Sequence, residues 1–212
     1  MGIRSFIRFG VLGLCLVAGT GVVAQQQETL PDVLVRNVTE RVLDTLRRDK
    51  DIQNGNNERL MRLVEVEILP HFNFTKMTQL AVGRDWRQAS VAQQRQLSDE
   101  FRVLLVRTYS NALLGYKDQR IEVKPLRLAQ GETDVTVRTQ IMQPGARPIP
   151  LDYSLEKSAG GWKVYDVVVA GVSLVTNYRE TFAAEVRQGG IDGLIRSLQN
   201  KNRANVAAGG AK

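Results

Sequence analysis

Apolar positions recur at helical spacing through the first half of the chain and alternate through much of the second. Leu30, Val33, Leu34, Val38, Val42 and Leu46 fall near a 3.6-residue period, with charges between them, and predict a helix over Glu28–Lys50. Turn-forming residues from Asp51 to Asn57 end it. Leu60, Leu63, Val64 and Ile68 predict a second helix over Glu58–Leu69, stopped by Pro70. Phe72, Phe74, Met77 and Leu80 form a dense apolar cluster, with a short helix from Thr75 to Val82 ended by Gly83. Ser90 and Gln93 have capping-box spacing and open the longest helix, Ser90–Tyr116, roughly 40 Å long at 1.5 Å per residue. Its expected buried stripe is Leu97, Phe101, Leu104, Leu105, Thr108, Ala112 and Leu113.

After Tyr116 the period changes. Gln119–Leu128 alternates until Pro125, which marks an edge strand or a bulge. Thr133–Gln143 places Val135, Val137, Thr139 and Ile141 on one face, and Ile149–Lys157 does the same with Leu151, Tyr153 and Leu155. Trp162–Val169 is a fourth strand, in which Val167, Val168 and Val169 interrupt the alternation and imply burial on both faces. Ala170-Gly171 breaks it, and Ser173 is placed to cap a helix over Ser173–Gln188. Gly189-Gly190 divides that helix from a last amphipathic stretch around Ile191, Leu194, Ile195 and Leu198. The pattern predicts an α+β fold: a four-stranded antiparallel meander packed with several helices.

The N-terminus alters the count of residues available to that fold. Arg4 and Arg8 precede an apolar run, and Val22-Val23-Ala24 puts small residues ahead of the polar Gln25, so residues 1–24 read as a cleaved secretory signal peptide. The remaining chain divides into an α+β domain over 25–200 and a flexible tail over 201–212. Within that domain a helical part spans about 28–116, the sheet about 119–169 and closing helices about 173–200. The only cysteine, Cys15, lies inside the leader, so the exported chain has no thiol or disulfide chemistry. Removal of the leader's two arginines lowers the formal charge from +7 to +5. The basic residues are interleaved with acids, and no run of nucleic-acid type occurs.

Candidate chemistry is sparse. One histidine, His71, and no clustered carboxylates argue against a metal site, and there is neither a Gly-x-Ser-x-Gly turn nor a phosphate-binding glycine loop. Asp152 and Asp166 on neighbouring strands are the only paired acids of interest, and a place on the polar side of the sheet, or pairing with Arg138 or Arg179, accounts for them better than catalysis does. The supply of Phe, Met, Leu, Val and Tyr either fills an ordinary core or lines a cavity between sheet and helices; periodicity does not separate the two.

Trp162-Lys163-Val164-Tyr165-Asp166-Val167, then Gly171-Val172-Ser173-Leu174-Val175, Asn177-Tyr178-Arg179 and Phe182, together resemble the MlaC family of toluene-tolerance, or phospholipid-binding, proteins. Leu69-Pro70-His71-Phe72-Asn73-Phe74, Gly83-Arg84-Asp85-Trp86, Phe101–Tyr109 and Gly189–Ile195 agree in the same order. One departure is Ala170, where the pattern leads us to expect an acidic residue.

The resemblance implies a carrier and not an enzyme: a periplasmic shuttle with no cofactor and phospholipid as its cargo. It would pass lipid between an outer-membrane lipoprotein–porin complex and an inner-membrane ABC transporter with its substrate-binding membrane component, and so maintain outer-membrane lipid asymmetry. The implied fold is a curved antiparallel sheet, NTF2-like in its main part, enclosing an apolar pocket. The expected lipid-binding residues are Phe72, Phe74, Met77, Leu80, Leu105, Tyr109, Leu113, Val137, Ile141, Tyr153, Val167, Val169, Val172, Val175 and Tyr178, with Arg138, Arg147 or Arg179 for the headgroup or for surface pairing with acids. A hydrolase acting on lipid or cell-wall substrates and an NTF2-like protein-binding adaptor are the alternative readings.

Overall fold

The computed structural model of the chain describes residues 29–116 and 119–209; the leader expected over 1–24 lies outside them. Helix α1 spans Pro31–Arg48, with proline at its start, Asp32 in the first turn and Arg47 and Arg48 in the last, each suited to the local end of the helix dipole. The run expected to be a turn begins instead as a short helix, α2 (Lys50–Gln53), because the Asp49 carboxylate accepts from the amides of Asp51 and Ile52. The Asn56 side chain caps α3 (Asn57–Leu63), which continues as a π-helical turn over Val64–Ile68 and a 3-10 turn over Leu69–His71. Helix α4 (Phe74–Val82) is capped by Asn73 and ends at Gly83, whose φ of 69° suits glycine.

Helix α5 (Val91–Ser110) starts with the expected capping box. The Ser90 hydroxyl accepts from the Gln93 amide at 3.3 Å, and the Gln93 side chain accepts from the Ser90 amide at 2.9 Å. The helix is shorter than its periodicity suggested: a 3-10 segment replaces it over Asn111–Gly115. Thr108, inside α5, and Ala112, in the 3-10 segment, are exposed where burial was expected, while Ser110 is buried.

The sheet has five strands where four were expected: β1 (Arg120–Val123), β2 (Asp134–Met142), β3 (Ile149–Ser158), β4 (Gly161–Val169) and β5 (Val172–Ser173), antiparallel in that order. The added strand pairs Val168 with Ser173 and Val169 with Val172. Helix α6 therefore starts at Arg179 and not at Ser173. It kinks at Gly190 and runs to Gly209, through the stretch whose sequence suggested a frayed tail. The Ser173 hydroxyl accepts from the amides of Val175 and Thr176, so it caps the turn that precedes the helix.

The register explains the three consecutive valines. Ser154 faces Asp166, yet Leu155 faces Val164, so a bulge inserts Tyr165 into β4. Before the bulge Trp162 and Val164 share a face; after it the parity flips, and Val167 continues that face opposite Tyr153. Val168 points the other way. Val167, Val168 and Val169 are each half-buried and Asp166, on the face of Val168, is buried, so both faces of the strand are covered in part where full burial was expected.

Three groups of buried side chains surround the space left between sheet and helices. Phe101, Phe182, Leu194 and Leu198 anchor the first, among α4, α5 and α6. Val135, Val137, Leu155 and Trp162 anchor the second, on the sheet beneath Val35. Val42, Leu46, Leu60 and Leu63 join α1 to α3 in the third.

Candidate apolar binding site

Helix α1 lies across the open face of the sheet and meets it only in part. Leu34, Val38 and Val42 from α1, Tyr109 from α5, Leu113 beyond its end, and Ile121, Ile141, Leu151, Tyr153, Val167 and Val169 from the sheet enclose a cavity of about 550 Å³. Ile68, Phe72, Tyr109, Val167 and Leu174 separate it from a smaller chamber of about 150 Å³, whose further walls include Val64, Leu69, Phe74, Met77 and Leu105. The larger volume falls within the roughly 300–1,000 Å³ of ligand clefts.

Among the described residues no lysine, arginine, aspartate or glutamate lines either chamber. Among the polar groups that do so, burial favours the uncharged forms of Tyr153, Tyr109 and His71. Burial pushes the Tyr153 phenol up to about 12, and burial together with the neighbouring Tyr178 does the same for Tyr109. Burial, then the charges of Lys163 and Arg41, hold the His71 imidazole below its ordinary value, against an opposing pull from Glu67. Tyr116 is spent inside the protein: its hydroxyl accepts from Arg47 at 2.6 Å and donates to the Gln119 carbonyl at 2.8 Å. Such a wall takes up hydrocarbon and offers no counter-charge to an ion.

Ten of the fifteen expected contact residues line these chambers: Phe72, Phe74, Met77, Leu105, Tyr109, Leu113, Ile141, Tyr153, Val167 and Val169. Five sit elsewhere. Val137 is fully buried in the sheet cluster, and Val175 is fully buried among the helices. Tyr178 packs against Phe101 and Phe182, with ring centroids 5.2 and 5.5 Å away, and Leu80 packs on the same helical cluster. Val172 is 55% exposed, because β5 turns it outward. Leu174, two residues on, takes the position expected of Val172 and Val175; its amide donates to the Val167 carbonyl at 2.8 Å.

The expected headgroup arginines do not line the cavity. Arg138 is exposed on the far face of β2, and Arg147 is exposed in the turn after it. Arg179 directs Nε and Nη2 to the Leu80 carbonyl at 3.1 and 2.9 Å, satisfying the C-terminal end of α4.

The acids considered for catalysis also lie off the cavity. Asp152 alternates with the lining residues Leu151 and Tyr153, and pairs across the strands with Val168. Asp166 is buried, but its carboxylate accepts from the Ser173 hydroxyl at 2.6 Å and the Val167 amide at 2.8 Å. Among the described residues no three His, Cys, Asp or Glu side chains group as metal ligands, and no helix is long and apolar enough to cross a membrane.

Sequence reasoning missed the α1 wall. Leu34, Val38 and Val42 stood out as an apolar stripe, but nothing in the stripe says that it faces a cavity and not a core.

Comparison with known proteins supplies the context. A family model described as MlaC protein matches residues 36–200. The intermembrane phospholipid transport system binding protein MlaC of Haemophilus influenzae is 27% identical over 192 residues, covering 89% of this chain and 88% of that protein. The toluene tolerance protein ttg2D of Pseudomonas putida is 26% identical over 189 residues, with 89% and 86% covered. A solved structure of the phospholipid-binding protein from Ralstonia solanacearum, in complex with a phospholipid, superposes with a TM-score of 0.76 at 39% identity, covering 82% of this chain and 98% of that one.

Proposed function

The chain belongs to the MlaC family, and from that premise we propose that it is a periplasmic phospholipid carrier whose acyl chains lie in the chamber between α1 and the sheet. The observation that carries this reading is the uncharged, largely apolar lining of a cavity of about 550 Å³. Each CH₂ moved out of water contributes about 0.8 kcal/mol, so ten methylenes supply about 8 kcal/mol before association costs. Association takes roughly 4–15 kcal/mol from that sum, so a micromolar Kd, about 8 kcal/mol net, is reached with correspondingly more buried methylenes and with no headgroup contact. The headgroup stays in water, which fits the placement of Arg138, Arg147 and Arg179 away from the cavity wall.

In this reading residues 1–24 direct export and are removed, and residues 25–200 form one lipid-binding domain. The carrier exchanges lipid with an outer-membrane lipoprotein–porin complex and an inner-membrane ABC transporter, and so contributes to outer-membrane lipid asymmetry. It needs no cofactor and performs no bond chemistry on its cargo.

The test is direct. The exported form is purified from a periplasmic extract, its lipids are drawn into organic solvent and quantified by mass spectrometry. Phospholipid in stoichiometric amount is expected. Protein that is repeatedly free of lipid, and that takes up none from vesicles, would remove the carrier reading.

A further inference from the structure

The two chambers are unequal, and the partition between them is built with care. Its five residues come from five separate places: Ile68 from the π-helical turn, Phe72 from the segment bridging to Val164, Tyr109 from α5, Val167 from β4 and Leu174 from beyond β5. The aromatic members are braced from behind. Phe72 stacks on Phe74 with ring centroids 5.9 Å apart and planes 21° apart, and the Arg102 guanidinium lies 6.0 Å over the Phe74 ring. The Tyr109 phenol is held by Tyr178, which is itself wedged against Phe101 and Phe182. Phe72 and Tyr109 on the shared wall are thus each packed against a second aromatic ring.

Behind the partition, the small chamber suits hydrocarbon alone. Its two hydroxyls are occupied within the protein, Ser110 by the Val106 carbonyl at 2.5 Å and Tyr109 by Tyr178. A water molecule there would lack the two to four polar partners that ordered water requires. An apolar void lowers stability in proportion to its volume, so hydrocarbon entering it is favoured.

Resting on the carrier reading, we propose that the small chamber is a length gauge for one acyl chain. The chain's terminal methylenes pass the partition and occupy the space beside Met77 and Leu105, and the chamber's end wall sets how many fit. Chains short enough to fit load without discrimination, because their methylenes leave one apolar medium for another. A chain too long leaves methylenes in water, and each methylene excluded lowers its share of loading by about fourfold.

The experiment is competition loading from vesicles holding dimyristoyl and distearoyl phosphatidylcholine in equal amounts, with bound lipid read by mass spectrometry. The purified chain is compared with Leu105→Trp and Met77→Phe, which shorten the chamber from α5 and from α4, and with Phe72→Leu, which enlarges the chamber from the shared wall. The first two are expected to shift the bound ratio toward the dimyristoyl lipid by about fourfold per methylene shut out. Phe72→Leu is expected to shift it toward the distearoyl lipid. Circular dichroism selects the folded variants, and the three substitutions sit on different elements, so one misfolded protein does not remove the test. Folded variants with an unaltered lipid ratio overturn the gauge while leaving the carrier intact. A folded variant that loads neither lipid also overturns it, since the chamber is then a requirement and not a measure. If the unsubstituted chain takes no phospholipid from either source, the carrier reading itself fails and the gauge falls with it.

Discussion

Replacing Ala170 with asparagine should make this protein more stable. Ala170 has a φ of 50°, the only positive value at a non-glycine position among the described residues, and Gly171 follows at 86°. These two residues connect Val169 to Val172 across a two-residue hairpin. Positive φ at both central positions is the signature of a type I′ turn, for which Asn-Gly and Asp-Gly are the preferred pairs. An ordinary L-residue in the left-handed region costs roughly 1–2 kcal/mol. Asparagine or aspartate recovers part of that through local side-chain hydrogen bonding, so Ala170→Asn should add about 0.5–1 kcal/mol. Glycine removes the strain but returns roughly 0.5–1 kcal/mol in unfolded-chain entropy, so its net gain of about 0.5–1 kcal/mol is similar to that of asparagine. Valine, β-branched, should lose about 1 kcal/mol or more.

Urea melts of the four substitutions, to Asn, Asp, Gly and Val, would order them. At about 2–4 °C per kcal/mol for chains of roughly 150–250 residues, thermal scans should agree. Asparagine and aspartate should behave alike, because the effect belongs to the backbone and not to charge. Lipid loading should stay the same, since Ala170 lines neither chamber. The reasoning is refuted if aspartate alone stabilises, which would make the charge the cause, or if asparagine gains nothing and valine loses nothing. This bears on the family pattern too: an acidic residue before Gly171 has a conformational explanation that needs no ligand.

Two further outcomes follow from buried polar groups. His71 is held below the ordinary imidazole value of 6.5, so the folded state binds fewer protons than the unfolded one; stability should be full above that pH and decline as pH falls through it toward the lower folded-state value. His71→Gln should flatten that decline in urea melts run across the acidic range, and an unaltered pH dependence would count against the assignment. Asp166→Ala leaves the Ser173 hydroxyl and the Val167 amide without their partner and should cost about 1–3 kcal/mol. Ser173→Ala made on top should cost less than it does alone by the share owed to Asp166, while the lost cap of Val175 and Thr176 persists, and simple additivity in the double mutant would show the two groups to be uncoupled.

Much of this architecture is legible in the sequence where one residue type has one local solution. Ser90 and Gln93 state their capping box, Gly83 its left-handed stop, and Pro144-Gly145 the turn between β2 and β3. The π-helical turn is not legible, because Leu60, Leu63, Val64 and Ile68 keep an acceptable helical spacing whether or not one residue is inserted among them. Nor is β5: two residues carry no period, and Ser173 reads as a helix cap because it does cap a turn, one step earlier than the helix. The triple valine was misleading for a related reason. Alternation presumes constant parity, and the bulge at Tyr165 breaks it before the valines are reached. Cavity lining was legible where an apolar residue lies on the inner face of β4 or beside Phe72. It was lost beyond Gly171, where the undetected strand rotates Val172 outward and brings Leu174 in.

The same observations explain why the cavity does not close on itself. A protein interior normally packs to crystal-like density, and a void is removed by whatever neighbour can move into it. Here each wall is committed elsewhere. Helix α1 is held at one end by Val35 on the sheet and at the other by Val42, Leu43 and Leu46 on α3. Helix α5 is fixed by Phe101 and Leu97, both fully buried among the helices. The sheet is pinned to α4 on its far side, where Lys76 meets Glu156 at 2.7 Å and lies 3.7 Å from the Tyr165 ring, and where Asn73 donates to Glu156 at 2.6 Å. The bulge that flips the parity of β4 therefore does two things with one inserted residue. It turns Tyr165 toward that anchor, and it delivers Val167 and Val169 to the cavity on the opposite face. A wall anchored from behind in this way can present an unfilled apolar surface in front, which is the condition for hydrocarbon to enter and leave while the protein stays folded.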